Sequence, residues 1–67
     1  MEMHQIRYFL AVCDYRNFTQ AAQSTYVSQP SLTQAIKNLE DEFGGELFFR
    51  DRRGCRLTPL GCLVEPR

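Results

Sequence analysis

Between Asn17 and Phe43 the chain reads Asn-Phe-Thr-Gln-Ala-Ala-Gln-Ser-Thr-Tyr-Val-Ser-Gln-Pro-Ser-Leu-Thr-Gln-Ala-Ile-Lys-Asn-Leu-Glu-Asp-Glu-Phe, and no other stretch restricts the fold as strongly. Leu32, Ile36, Leu39 and Phe43 recur at i, i+4, i+7 and i+11, which is one stripe of a helix. Ser28 is placed to cap that helix. Pro30 falls in its first turn, where a missing N–H breaks no intrahelical bond, and Gly44 suits its C-terminal end. At about 100° per residue, Pro30, Thr33, Gln34 and Lys37 lie on the opposite, polar side. A shorter helix precedes it, with Thr19 as its expected cap and with Ala21 and Ala22 small enough for close helix packing. It ends near Thr25, and Tyr26 and Val27 make the turn. Two helices joined in this way, the second with a polar outer face, have the layout of a helix-turn-helix, and nucleic acid is the first partner to consider.

The flanking segments extend this reading. From Met3 to Tyr15, Ile6, Phe9, Leu10 and Cys13 fall at i, i+3, i+4 and i+7, a helical stripe that Val12 broadens. Arg16 and Asn17 interrupt the pattern, and Asn17 tolerates the left-handed conformation common at helix ends. Leu47–Arg50 and Cys55–Thr58 read as two brief strands around Asp51-Arg52-Arg53-Gly54, with Gly54 free to adopt positive φ in the turn. A hairpin beside a helix-turn-helix is a wing. Thr58 and Pro59 look like the cap and first residue of a further helix, which Pro66 stops after about two turns. The aromatic residues Tyr8, Phe9, Phe18, Phe43, Phe48 and Phe49 are assigned to the core. The expected fold is mainly α with a small β-hairpin, a winged helix-turn-helix of three helices, a two-stranded wing and the stub of a fourth helix. Its domains are 1–58, the winged unit, and 59–67, a truncated linker-helix stub.

The bulk properties exclude several functions. A chain of 67 residues buries only about 60% of the surface its unfolded form exposes, which leaves no room for an enzyme cleft. No nucleophile is paired with a base, so catalysis is not expected. The 43% hydrophobic content is too high for a disordered chain. Apolar runs fall well short of the ~20 residues that a membrane helix needs, and a secretory signal is not recognisable, so a cytoplasmic location is expected. Cys13, Cys55 and Cys62 lack a Cys-x-x-Cys spacing, and His4 stands alone. Neither a disulfide framework nor a metal or cofactor site is therefore expected. The cysteines read as reduced thiols, with Cys13 as core filler, and His4 as a surface residue. The formal charge is zero, yet it is unevenly distributed. Glu40, Asp41, Glu42 and Glu46 are acidic, whereas Arg50, Arg52, Arg53 and Arg56 crowd a segment whose one acid is Asp51. Phosphate attraction depends on the face presented, not on the sum.

From Met1 to Gly61 the sequence resembles the N-terminal DNA-binding domain of the LysR-type transcriptional regulators. The marks are Gln-Ile-Arg-Tyr-Phe-Leu-Ala-Val at 5–12, Phe18-Thr19-Gln20-Ala21-Ala22, and Val27-Ser28-Gln29-Pro30-Ser31-Leu32-Thr33-Gln34. They continue through Ile36, Leu39-Glu40, Phe43-Gly44, Leu47-Phe48-Phe49-Arg50, Arg53-Gly54 and Leu57-Thr58-Pro59-Leu60-Gly61. The resemblance implies a winged helix-turn-helix with its third helix in the major groove and its wing beside the minor groove, and dimers on paired half-sites. In that family a long linker helix and a domain for a small-molecule inducer follow, so no inducer site is expected within these residues. Three departures stand out. Thr25 replaces an aliphatic residue that packs between helices, which predicts a looser core there. Gln34 replaces a frequent Arg. The tail Cys62-Leu63-Val64-Glu65-Pro66-Arg67 leaves the pattern, which suggests a truncated product, a pseudogene-like remnant or a designed chain.

On this frame Gln29, Pro30, Thr33 and Gln34 are the expected readers of base edges. Gln pairs with adenine N6 and N7, and Pro or a Thr methyl packs on a thymine methyl, so A·T-containing half-sites are favoured. Ser28, Ser31 and Lys37 are expected on phosphates, helped by the partial positive charge of the helix N-terminus. Arg50, Arg52 and Arg53 form the cationic edge of the wing, with Arg53 entering the minor groove. The acidic Glu40-Asp41-Glu42 run opposes the helix dipole and has no structural role legible in the sequence. Double-stranded DNA is the main partner expected, with weak homodimers or heterodimers with a full-length relative. A competing reading makes the apolar flank of the first helix, with Leu60 and Leu63, a module that pairs with such a relative and poisons its dimer.

Overall fold

Among the described residues, 2–65 of the computed structural model, the elements run α1 (Met3–Tyr15), α2 (Phe18–Ser24), α3 (Gln29–Phe43), β1 (Phe48–Asp51), β2 (Gly54–Leu57) and α4 (Pro59–Val64). This is a helix-turn-helix with an antiparallel two-stranded wing, as the sequence predicts. Its strands pair Phe48 with Leu57, Phe49 with Arg56, Arg50 with Cys55 and Asp51 with Gly54. The hairpin loop is two residues rather than the four expected, because Asp51 and Gly54 pair within the strands and leave Arg52 and Arg53 at its tip. The Asp51 carboxylate accepts the Arg53 N–H at 2.8 Å and closes the turn.

Phe9, Val12, Leu32, Ile36, Leu39 and Leu47 are the largest fully buried side chains, and they form the seam between α1, α2, α3 and the start of the wing. Ala21 and Ala22 are buried too, and their small size brings α2 against its neighbours. Phe48 joins the wing to this core, with its ring 5.3 Å from that of Phe9 and 5.8 Å from that of Phe18. Ser28 caps α3 by accepting the Ser31 N–H, and Gly44 ends it at φ 78°. Both match the sequence expectation.

Several expectations need correction. The inward face of α1 is Phe9, Ala11 and Val12, while Ile6, Leu10 and Cys13 are only half-buried. Asn17, not Thr19, caps α2, and its side chain accepts the Gln20 N–H at 2.9 Å. Because Asn17 holds an extended conformation to do this, the left-handed residue that ends α1 is Arg16, at φ 52°. Phe43 is 38% exposed, since it lies in the final turn of α3 beyond Leu39, the last buried residue of that helix. Phe49 is also exposed: side chains alternate along a strand, so Phe48 and Phe49 cannot both point inward. The buried cysteine is Cys55, not Cys13, and burial pushes its thiol above the usual range. Thr25 is half-buried and donates its hydroxyl to the Ala21 carbonyl at 2.9 Å, so its polar atom is satisfied at a position where an aliphatic residue was expected.

The turn between α2 and α3 is closed by two backbone bonds, Tyr26 N–H to Gln23 O at 3.3 Å and Val27 N–H to Ala22 O at 3.1 Å. This paired pattern requires a left-handed residue at its centre, a place usually taken by Gly. Tyr26 occupies it at φ 60°, with its side chain in solvent.

At the other end of the molecule the polar groups do the joining. The Cys55 N–H donates to Arg16 O at 2.9 Å, which ties the wing to the end of α1. Glu40, left without a role by the sequence, accepts the Leu47 N–H at 2.8 Å and closes the loop between α3 and β1. Thr58 is buried, donates its hydroxyl to Glu46 O at 2.6 Å and accepts the Gly61 N–H at 2.9 Å, which caps α4. Pro66, the expected stop of α4, lies outside the described residues; the helix ends at Val64 with Glu65 as its cap. Among the described residues, no helix is long and apolar enough to cross a membrane.

Candidate nucleic-acid interface

The N-terminal half of α3 supplies the first part of the candidate surface. Ser28, Gln29, Pro30, Ser31, Gln34 and Lys37 are exposed and Thr33 is half-buried, so the polar side of the helix is free of the core. Its hydrophobic side is anchored through Leu32, Ala35, Ile36 and Leu39. The polar side chains are partly engaged with one another. The Thr19 hydroxyl donates to Gln29 Oε1 at 3.0 Å, which links α2 to the first turn of α3. Ser28 Oγ and Ser31 Oγ are 2.9 Å apart, and Gln34 Nε2 donates to Asn38 Oδ1 at 2.9 Å.

These contacts bear on chemistry. Gln29 keeps its amide NH2 as a donor while its carbonyl oxygen is held by Thr19, which fixes the direction of the side chain. Gln34 has the reverse arrangement: its NH2 is tied to Asn38 and its carbonyl oxygen is left to accept. Thr19, expected only as a helix cap, and Asn38, which the sequence did not single out, therefore orient two of the predicted readers. Residues one helical turn away at i+4, or across a turn, are natural candidates for such a role.

The wing supplies the second part. Arg50, Arg52 and Arg53 are all exposed. Arg52 and Arg53 sit at the tip, whereas Arg50 shares the inner face of β1 with Phe48 and lays its guanidinium over the Phe18 ring, 3.7 Å from the centroid. Arg56, on β2, lies 5.6 Å from the Phe49 ring in a cross-strand pair. Between α3 and β1 runs an open cleft of about 480 Å³, lined among others by Phe18, Thr33, Lys37 and Arg50. Lys37 and Arg50 thus flank one depression from two elements.

His4 lies on the surface, 3.2 Å from the Glu2 carboxylate and edge-on to Tyr8. Among the described residues, no group of His, Cys, Asp or Glu side chains is arranged to hold a metal ion.

Residues 3–62 match the family described as bacterial regulatory helix-turn-helix protein, lysR family. A regulator named BudR from Klebsiella aerogenes is 51% identical over 61 residues, covering 91% of this chain and 43% of the relative. The chain spans less than half the length of the curated relatives it matches. Among solved structures, that of the CbnR DNA-binding domain in complex with DNA has a TM-score of 0.92 at 38% identity, covering 97% of this chain and 75% of that one. The BenM DNA-binding domain on a catB site has a TM-score of 0.91 at 40% identity, covering 97% and 73%.

Proposed function

The chain belongs to the lysR family of bacterial regulatory helix-turn-helix proteins, and from that premise we propose that it reads DNA as part of a transcriptional regulator in the bacterial cytoplasm. In this reading α3 enters the major groove and the hairpin flanks the minor groove. Gln29, Pro30, Thr33 and Gln34 face base edges, and Ser28, Ser31 and Lys37 hold phosphates. Arg50, Arg52 and Arg53 form the cationic edge of the wing, with Arg53 directed to the minor groove. The functional boundary falls at Thr58, where the winged unit gives way to α4. One observation carries the proposal: the free polar side of α3 and the arginine-bearing β1 border the same cleft, so a single duplex lying along it meets both. The likeness to two domains solved on DNA supports the same docking.

A zero formal charge does not oppose this. Two acids, Glu40 and Glu46, and two cations, Lys37 and Arg50, line the cleft, and the Glu40 carboxylate is turned to the Leu47 N–H. A second copy of the chain is a weak partner in this reading, through the apolar side chains of Met3 and Leu63, which are 82% and 84% exposed on α1 and α4.

Titration of duplex DNA at several salt concentrations tests the proposal. Each neutralised phosphate adds about 0.9 to the slope of log K against log salt, so Lys37→Ala is expected to lower that slope by about one. A slope near zero, or no binding at low salt, would refute it. In the same titration, a duplex with two half-sites is expected to gain little over one with a single half-site. A gain of about 10² or more would mark a stable dimer instead.

A further inference from the structure

Phe18 opens α2, outside both the polar side of α3 and the wing, and it is buried with 8% of its surface exposed. Its position is over-determined. Asn17 caps the helix immediately before it, and its ring meets that of Phe48 at an interplanar angle of 83°, while Phe48 in turn packs on Phe9. The outer face of this fixed ring carries the Arg50 guanidinium at 3.7 Å. Among the described residues the Arg50 N–H groups have no hydrogen-bond or ion-pair partner. Glu40 and Glu46 also line the cleft; the Glu40 carboxylate accepts the Leu47 N–H, and neither acid is ion-paired with Arg50 among the described residues.

Stacking uses the face of a guanidinium and leaves its five in-plane N–H donors unspent. A cation held in this way, with its donors unmatched and lining a cleft shared with Thr33 and Lys37, is prepared for an oxyanion before any ligand arrives. An unstacked arginine would have to give up rotamer freedom on binding, and a stacked one has already done so. We infer that Phe18 is a positioning residue for phosphate binding, the platform that pre-orients Arg50 in the cleft between α3 and the wing. The inference rests on the proposed DNA-binding function and adds to it a residue that touches no DNA.

The test is a double-mutant cycle on the full chain, with a random-sequence duplex pool at low salt as the probe and binding measured well below each variant's melting temperature. Arg50→Ala is expected to weaken binding and to lower the salt slope by about 0.9, the contribution of one phosphate contact. Phe18→Leu removes the aromatic face while keeping an apolar side chain at that position and the Arg50 charge. It is expected to weaken binding about three- to tenfold, the loss of one pre-organised side chain, with the salt slope unchanged. The double variant should bind no more weakly than Arg50→Ala alone. Additive losses, or an unaltered Phe18→Leu affinity beside a weakened Arg50→Ala, would overturn the inference and leave the DNA-binding reading standing. An Arg50→Ala variant that binds like the parent would also overturn the inference, because Arg50 would then hold no phosphate, whereas a parent chain that fails to bind the pool at low salt would remove the reading on which it rests. Proton chemical shifts of the Arg50 side chain in the unmodified protein give a second measurement that no folding defect can obscure. Shielding by the Phe18 ring is expected, and random-coil shifts would overturn the inference.

Discussion

The helix-turn-helix and the corner formed by the wing and α4 are held by different forces. Between α1, α2 and α3 the joints are apolar: Val12, Ala21, Leu32 and Leu39 are wholly buried and meet through side-chain packing. At the wing the joints are polar and close to the backbone: Cys55 N–H on Arg16 O, Leu47 N–H on Glu40, and Thr58 between Glu46 and Gly61. Space at that corner is set by glycine. A Cβ on Gly61 would sit 2.3 Å from Leu47 O, and one on Gly54 would sit 2.3 Å from Arg16 O. A packed seam loses stability in proportion to the volume removed. A backbone clamp has no such gradation, because the atom that must yield is itself hydrogen-bonded.

Substitutions on the two sides should separate these behaviours. Gly61→Ala should have the largest effect. Its added carbon meets a backbone carbonyl that cannot rotate away, and a loss of about 3 kcal/mol or more is expected, large against the roughly 3–10 kcal/mol available to a domain of this length. Urea unfolding that showed Gly61→Ala within about 1 kcal/mol of the parent would break the distinction between clamp and seam. Thr58→Val should come next. It preserves shape but strips the Glu46 carbonyl and the Gly61 N–H of their partner, at an expected cost of about 1–3 kcal/mol. The same unfolding series measures it, and a neutral result would mean that water replaces the hydroxyl without loss. The smallest effect, with the opposite sign, belongs to the helix-turn-helix side. Tyr26→Gly relieves a left-handed tyrosine whose side chain is 95% exposed, and it should raise stability by up to about 1 kcal/mol, the unfolded-state entropy of glycine offsetting part of the relief. A lower melting temperature would mean that the ring makes contacts in solution.

The same contrast explains what could be read in the chain. Ser28, Pro30 and Gly44 announced the ends of α3 because capping chemistry is local, and Leu32, Ile36 and Leu39 announced its inner side because burial follows the helical period. Phe43 carried the same periodic signal and is exposed, since periodicity states which side a residue is on and not how far the neighbouring element extends. Glu40 looked like one of three surface acids. Its bond to Leu47 N–H joins positions seven apart across a loop, and no local rule marks it. The site was legible in part. The polar side of α3 follows from helical spacing, but the stack of Arg50 on Phe18 joins residues far apart in sequence and depends on how β1 is laid against α2.

The sequence by itself determined the helices, the caps of α3 and the N-cap of α4, the presence of the hairpin and the polar side of α3, because each depends on backbone preferences and side-chain periods acting within a few residues. Only the tertiary structure decided which cysteine is buried, which arginine is anchored, and why Gly54 and Gly61 admit no side chain. Those outcomes depend on distances between segments that meet only when the chain closes on itself, where a single carbonyl or ring face sets what its distant neighbour can be.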